Sequence, residues 1–183
     1  MSQFSAAFLL VSAWILSAGG SAAQSSSATH SVSEEDEKKA AILVVLAHEQ
    51  AVQAYDFDKV DSLHTPDYRK IEESYPHAQG KPQYLDDYKS IRDSGIRIDY
   101  HPQDALAEVH GDVAWVTVTL HSIWTADTPA GRALLDGNEW RATFVESFVL
   151  VKTPQGWKMA FGHTSKLPPS LGSKLTTDRN RVA

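Results

Sequence analysis

Cysteine is absent from the 183-residue chain. That absence excludes disulfides, thiolate nucleophiles and thiolate metal sites, and it is compatible with an oxidising compartment. Basic clusters are missing too. Lys and Arg number 17 against 23 Asp and Glu, a net charge of −6 with no Lys/Arg-rich run, so nucleic acid is not an expected partner. Glycine-rich phosphate loops and a nucleophile elbow are also absent. Long apolar runs are confined to residues 4–18, which fall short of the roughly 20 residues a membrane-spanning helix needs. Small residues follow that run through Ala23, and a polar Ser-rich stretch begins at Gln24. The pattern is that of an export signal cleaved after Ala23, although only the α-amino group supplies positive charge ahead of the run. The expectation is an exported protein, periplasmic or secreted, with no stable membrane anchor.

What remains is enough chain for one domain with a sizeable core. Residues 24–33 read as a linker, 34–169 as the domain and 170–183 as a disordered tail. Ser33-Glu-Glu-Asp36 resembles a capping box with an acidic first turn, and it opens a helix running to about Tyr55. Asp58 is placed to cap a short second helix through Leu63, and Thr65-Pro66-Asp67 reads as a turn before a short strand at 68–72. A third helix is expected from Gln83 to Asp93, after Gly80-Lys-Pro82. Beyond Gly95 the period becomes alternating: one strand leads from Ile96 towards Val109, and a second runs from Val113 to Trp124. Residues 128–138 read as a long hairpin loop.

The last two strands carry the informative residues. Ala142, Phe144, Glu146, Phe148 and Leu150 share one face by the period-2 rule. Pro154-Gln155-Gly156 supplies the turn. Trp157, Met159, Phe161, His163 and Ser165 then share one face of the return strand, unless a single bulge before Gly162 reverses the facing. Helices ahead of antiparallel strands describe an α+β fold, with three N-terminal helices packed on one face of a curved, mainly antiparallel sheet. The cone this leaves is a natural small-molecule site.

Three stretches carry a family resemblance: Tyr55-Asp-Phe-Asp-Lys-Val-Asp-Ser-Leu63, His110-Gly-Asp-Val-Ala-Trp-Val116 and Gly156-Trp-Lys-Met-Ala-Phe-Gly-His-Thr-Ser165. With the element order, they make the chain similar to the NTF2-like superfamily, specifically its SnoaL-like and DUF4440-type members. The resemblance spans about residues 34–169. It implies a cone-shaped α+β barrel, often dimeric through the sheet, in a superfamily of isomerases, cyclases, dehydratases, binding modules and the calcium/calmodulin-dependent kinase association domain. That association domain uses pocket arginines in its last two strands. Aligned on Trp157, those positions here hold Phe148 and Thr164, so the resemblance does not carry an anion pocket of that kind across.

Glu146 is a candidate acid or base, since burial in the cone would raise its pKa. The competing reading is an ion pair with an arginine such as Arg141 or Arg69. His163 is a candidate proton carrier, or a histidine with purely structural partners. Tyr55, Tyr68, Trp124 and Phe144 are candidate ligand contacts, or ordinary core aromatics. His121 lies on the face opposite Trp124. His48-Glu49-Gln-Ala-Val52 begins like the zinc motif HExxH but lacks its second histidine, and Asp56, Asp58 and Asp61 read as helix caps. No metal and no cofactor is expected. The expected partners are a small, largely apolar ligand and a second copy through the sheet. The alternatives are a cofactor-independent isomerase, cyclase or lyase using Glu146 and His163, or a dimeric assembly module with a filled cone.

Overall fold

A computed structural model describes residues 33–168 except positions 74 and 76. The expected signal segment, the linker ahead of Ser33 and the tail lie outside the described residues. Helix α1 spans Glu34–Gln53 and starts as its sequence dictates. The Ser33 side chain accepts from the Asp36 N–H, and four acidic residues fill the first turn. Its buried side, Ala41, Val45, His48, Glu49 and Val52, follows helical spacing. Two of those residues are polar, and they matter below.

Helix α2 (Phe57–Leu63) is capped by Asp56, not Asp58, through a bond from the Lys59 N–H. Strand β1 follows at once, His64–Ile71. It takes in Thr65-Pro66-Asp67, where the sequence suggested a turn. Pro66 is tolerated there because the pairing of β1 is interrupted between His64 and Arg69. Strand β2 (Gln79–Gly80) leads into helix α3 (Lys81–Asp93), with Pro82 in its first turn. Strands β3 (Ile96–His110) and β4 (Val113–Ala126) are followed by helix α4, Pro129–Leu135. The expected loop therefore contains a helix, capped by Thr128 on the Gly131 N–H. Strands β5 (Glu139–Thr153) and β6 (Gly156–Lys166) complete the chain.

The six strands form one sheet in the order β2-β1-β6-β5-β4-β3, antiparallel except where β1 lies parallel to β6. Among the described residues, four helices accompany it. The α+β class is as expected, with two short strands threaded among the early helices. One face of the sheet is the core. Ala114, Val116, Val118 and Leu120 of β4 are buried there beside Phe148 and Leu150 of β5, each large aliphatic contributing about 2 kcal/mol. Far ends of the chain are tied together: Glu37 of α1 accepts from the Trp157 indole at 2.9 Å and from Lys152.

A bulge decides the facing of β6. Val149 pairs with Phe161 and Leu150 with Met159, so Ala160 is the extra residue. Before it, Trp157 and Met159 point inward. After it, Gly162 and Thr164 do, and His163 is exposed. Gly162 is required at its position because an added Cβ would lie 2.7 Å from the Tyr68 hydroxyl and 3.2 Å from the Phe148 ring.

Gly162→Ala is therefore expected to cost about 1–3 kcal/mol by overpacking, read from urea unfolding. Adding Tyr68→Phe, which deletes a buried hydroxyl without a partner, should recover part of that loss. An additive double mutant would refute the contact.

Candidate functional site

A cavity of about 360 Å³ lies on the core face of the sheet. Its walls are aromatic and aliphatic: Leu120 and Trp124 from β4, Trp140 and Phe144 from β5, Tyr88 from α3 and Tyr100 from β3. The two indoles meet edge to face at 5.4 Å between centroids, a favoured arrangement for aromatic rings. The Trp124 N–H is already satisfied, donating to Ser122 Oγ at 2.7 Å. Glu73 and Lys166 are exposed at the rim, and the Lys166 ammonium sits 5.0 Å over the Trp140 ring.

The polar floor is buried. Glu146 projects from the inner face of β5 and is 3% exposed. Its Oε1 accepts from Thr164 Oγ1 at 2.7 Å and from Lys70 Nζ at 3.3 Å. Lys70, equally buried, also pairs with Glu72 at 3.1 Å and lies 5.2 Å over the Tyr84 ring. Burial opposes the charge on Lys70, but the surrounding carboxylates, Glu146 first, hold its pKa well above the ordinary value. Burial raises the Glu146 carboxyl, and Lys70 only partly offsets it.

A second polar layer lies behind the floor. Glu49 of α1 is also buried, and its carboxyl and that of Glu146 act on each other electrostatically. Desolvation, opposed by Lys70, pushes its pKa up to about 7. His48 Nδ1 lies 2.9 Å from Glu49 Oε1, and its Nε2 lies 3.2 Å from the Tyr84 hydroxyl. Burial and the Lys70 charge hold His48 down to about 3, so the ring is neutral. Hydrogen on Nδ1 lets it donate to Glu49 and accept from Tyr84, which uses every partner. Glu146 Oε2 is buried with no N–H or hydroxyl donor. The Glu49 carboxyl can serve it only when a proton is present on one of the two, because two carboxylates cannot bond each other.

The expected site residues divide. Glu146, Trp124 and Phe144 meet in the pocket. Glu146 is paired with Lys70, and neither of the expected arginines reaches it: Arg141 binds Glu139. His163 is excluded from this pocket by the bulge at Ala160. It is exposed and borders a shallower depression of about 240 Å³ with Ile71 and Ser165. Tyr68 is fully buried outside the pocket lining and stacks on His64 at 3.7 Å. Tyr55 does not line the pocket either; its hydroxyl donates to the Ile96 carbonyl at 2.6 Å. His121 is on the outer face, 2.9 Å from Thr143 Oγ1. Among the described residues, no three His, Asp or Glu side chains gather as a metal would require. No described helix is long and apolar enough to cross a membrane.

Lys70, Glu49 and His48 were missed by sequence reasoning, yet signals existed. Lys70 shares the strand parity of Tyr68, and His48 and Glu49 continue the Ala41–Val45 stripe. The failed zinc motif was the visible trace of a polar interruption in a core-facing helix.

With this geometry stands a family match. The SnoaL-like domain pattern covers residues 44–169. The chain belongs to the SnoaL-like domain family. This SnoaL-like domain shares its fold with solved structures of low identity. One is a ketosteroid isomerase-like protein from Erwinia carotovora atroseptica, 23% identical, covering 73% of this chain and 98% of that one at a TM-score of 0.59. Another is an NTF2-like superfamily protein from Salmonella enterica, 16% identical, with coverages of 75% and 96% and a TM-score of 0.62. A third is the CaMKII hub of S. rosetta, 20% identical, with coverages of 71% and 96% and a TM-score of 0.55. No curated protein matches the sequence.

The buried ionisable groups give this SnoaL-like domain a specific pH response. His48 is depressed, so its contribution is present above about pH 6.5 and lost as pH falls towards about 3. Glu49 runs the other way. Its contribution is present below about pH 4.5 and lost as pH rises through about 7. Glu49→Gln fixes the neutral form, so its stability relative to wild type should grow across that window by up to about 3 kcal/mol. Urea unfolding at a series of pH values measures it, and a pH-independent difference would reject the buried, proton-retaining Glu49.

Proposed function

We propose that this protein binds a small, largely apolar molecule in the pocket, with one polar group of the ligand directed at the floor. One observation carries the reading. A buried carboxyl with an oxygen lacking any N–H or hydroxyl donor stands at the base of an aromatic-walled cavity of about 360 Å³. That combination of apolar walls and few convergent polar groups is the usual make-up of a ligand site. Trp124→Ala should weaken binding about tenfold or more by removing one wall. Titration by intrinsic fluorescence of a panel of small aromatic and alicyclic molecules tests it, and a panel in which none binds wild type would overturn it.

A second reading, a cofactor-independent isomerase, cyclase or lyase, is favoured by the raised Glu146 carboxyl facing the same cavity. Glu146 would act as acid or base on the ligand, with Lys70 and Thr164 holding its other oxygen. The exposed His163 has no part in this version. Glu146→Gln keeps the shape and removes the base. Turnover of an identified substrate should then fall about 10²–10⁴-fold; unchanged turnover would leave binding alone.

Two further parts of the reading concern context. The apolar run at 4–18 and the small residues to Ala23 support export to the periplasm or beyond. The outer face of the sheet supports a homodimer. Trp115 is 54% exposed there and pairs with Val149, which pairs in turn with Phe161, an apolar row of the kind a second copy covers. Sedimentation equilibrium should show a dimer for wild type and a monomer for Trp115→Lys. A monomeric wild type would remove this part.

A further inference from the structure

Resting on the binding reading above, we propose that the pocket's ligand carries a basic nitrogen, and that its ammonium group binds Glu146 by displacing a proton shared with Glu49. The argument begins with a count of charges. Carboxyls around the floor and rim are Glu146, Glu72 and Glu73, with Glu49 behind. The cations are Lys70 and Lys166. Lys70 is already engaged by Glu72 and Glu146, and Lys166 lies over the Trp140 ring. No cation remains for the Glu49–Glu146 pair except the shared Lys70.

Every other element packed on the pair confirms that balance. Helix α1 adds His48, which is neutral. Strand β1 adds His64 and Tyr68, and burial keeps both uncharged at neutral pH. Tyr84 and Tyr88 of α3 and Tyr100 of β3 are likewise held neutral by burial. Strand β6 contributes the Thr164 hydroxyl, and β4 lines the site with Leu120 and Trp124, which do not ionise.

Burying two adjacent carboxylates unprotonated is costly, so the pair retains a proton. Exchanging that proton for an ammonium leaves the net charge of the site unchanged, and it gives Glu146 Oε2 an N–H donor. An anionic ligand would instead add charge beside four carboxyls. A neutral one would leave the pair as it stands. The aromatic walls favour the same choice, since ring faces attract organic cations. The Lys166–Trp140 contact is an example within the site.

The test compares phenethylamine with its neutral analogue 2-phenylethanol by calorimetry on wild-type protein at about pH 6 and pH 8, in buffers of differing ionisation enthalpy. Expected is tighter binding of the amine, release of about one proton at the lower pH, and affinity rising about tenfold between the two. The alcohol should show no proton release. Glu146→Gln should abolish the preference for the amine, and Glu49→Gln should abolish the proton release while amine binding survives. Either variant alone suffices should the other fail to fold. Equal or tighter binding of the alcohol would overturn the inference and leave the pocket reading standing. Amine binding without proton release would overturn the exchange, and binding of neither compound would count against both readings.

Discussion

Burial of Lys70 against Glu146 is the interaction on which the site depends. Each partner is nearly inaccessible, and they come from strands far apart in sequence. Such a pair is a poor source of stability, because the desolvation of two charges consumes most of the attraction between them. An apolar pair of the same volume would serve the core as well. Its retention, with Thr164 and Glu49 arranged around one carboxyl, is what separates this pocket from an ordinary packing defect. Removing Lys70 would leave Glu146 with Thr164 as its one remaining donor, whereas removing Glu146 would leave Lys70 paired with Glu72.

The remainder of the architecture serves that floor. Strands β4 and β5 supply the wall by alternation, with inward residues at even positions in both. Helices α1 and α3 close the opposite side, where His48 of α1 meets the Tyr84 hydroxyl of α3 behind the carboxyls and Tyr88 of α3 meets Tyr100 of β3 in the wall. The unpartnered atoms of His64, Thr65, Tyr68 and Gln79 lie in the β1–β2 region of the fold. Buried polar atoms of this sort are commonly met by internal water.

The fold was largely legible because it rests on local rules: the Ser33 cap, the period-2 runs of β4 and β5, and the Pro154–Gly156 turn. Glu146 was legible for the same reason, as a charge at an inward position. His163 was not, because one extra residue in β6 inverts parity and bulges leave little trace in a single sequence. Asp56 took the cap expected of Asp58 since both have the right chemistry two residues apart. Helix α4 was hidden by Gly131, Gly137 and Pro129, which read as loop-forming; Pro129 and Thr128 are equally good as a helix start. Lys70 escaped attention because its neighbour Ile71 is the more hydrophobic of the two. Yet the strand turns Ile71 outward and the lysine inward, in step with the buried Tyr68, to meet the carboxylates of Glu72 and Glu146.

The parallel pairing of β1 with β6 has a consequence for the order in which this molecule comes into being. Lys70 sits on a strand made early, while Glu146 and Thr164 arrive on the last two. Glu37 likewise waits for Trp157, 120 residues further along. As the chain is synthesised, the lysine can meet Glu72 and Tyr84 early, but Glu146 and Thr164 follow only with the final hairpin. Local elements can form beforehand, but the cavity cannot close around its charges piecemeal. Closure of the pocket around its charges therefore requires both strands of that hairpin, and a chain ending before Thr164 lacks one of the two donors to Glu146.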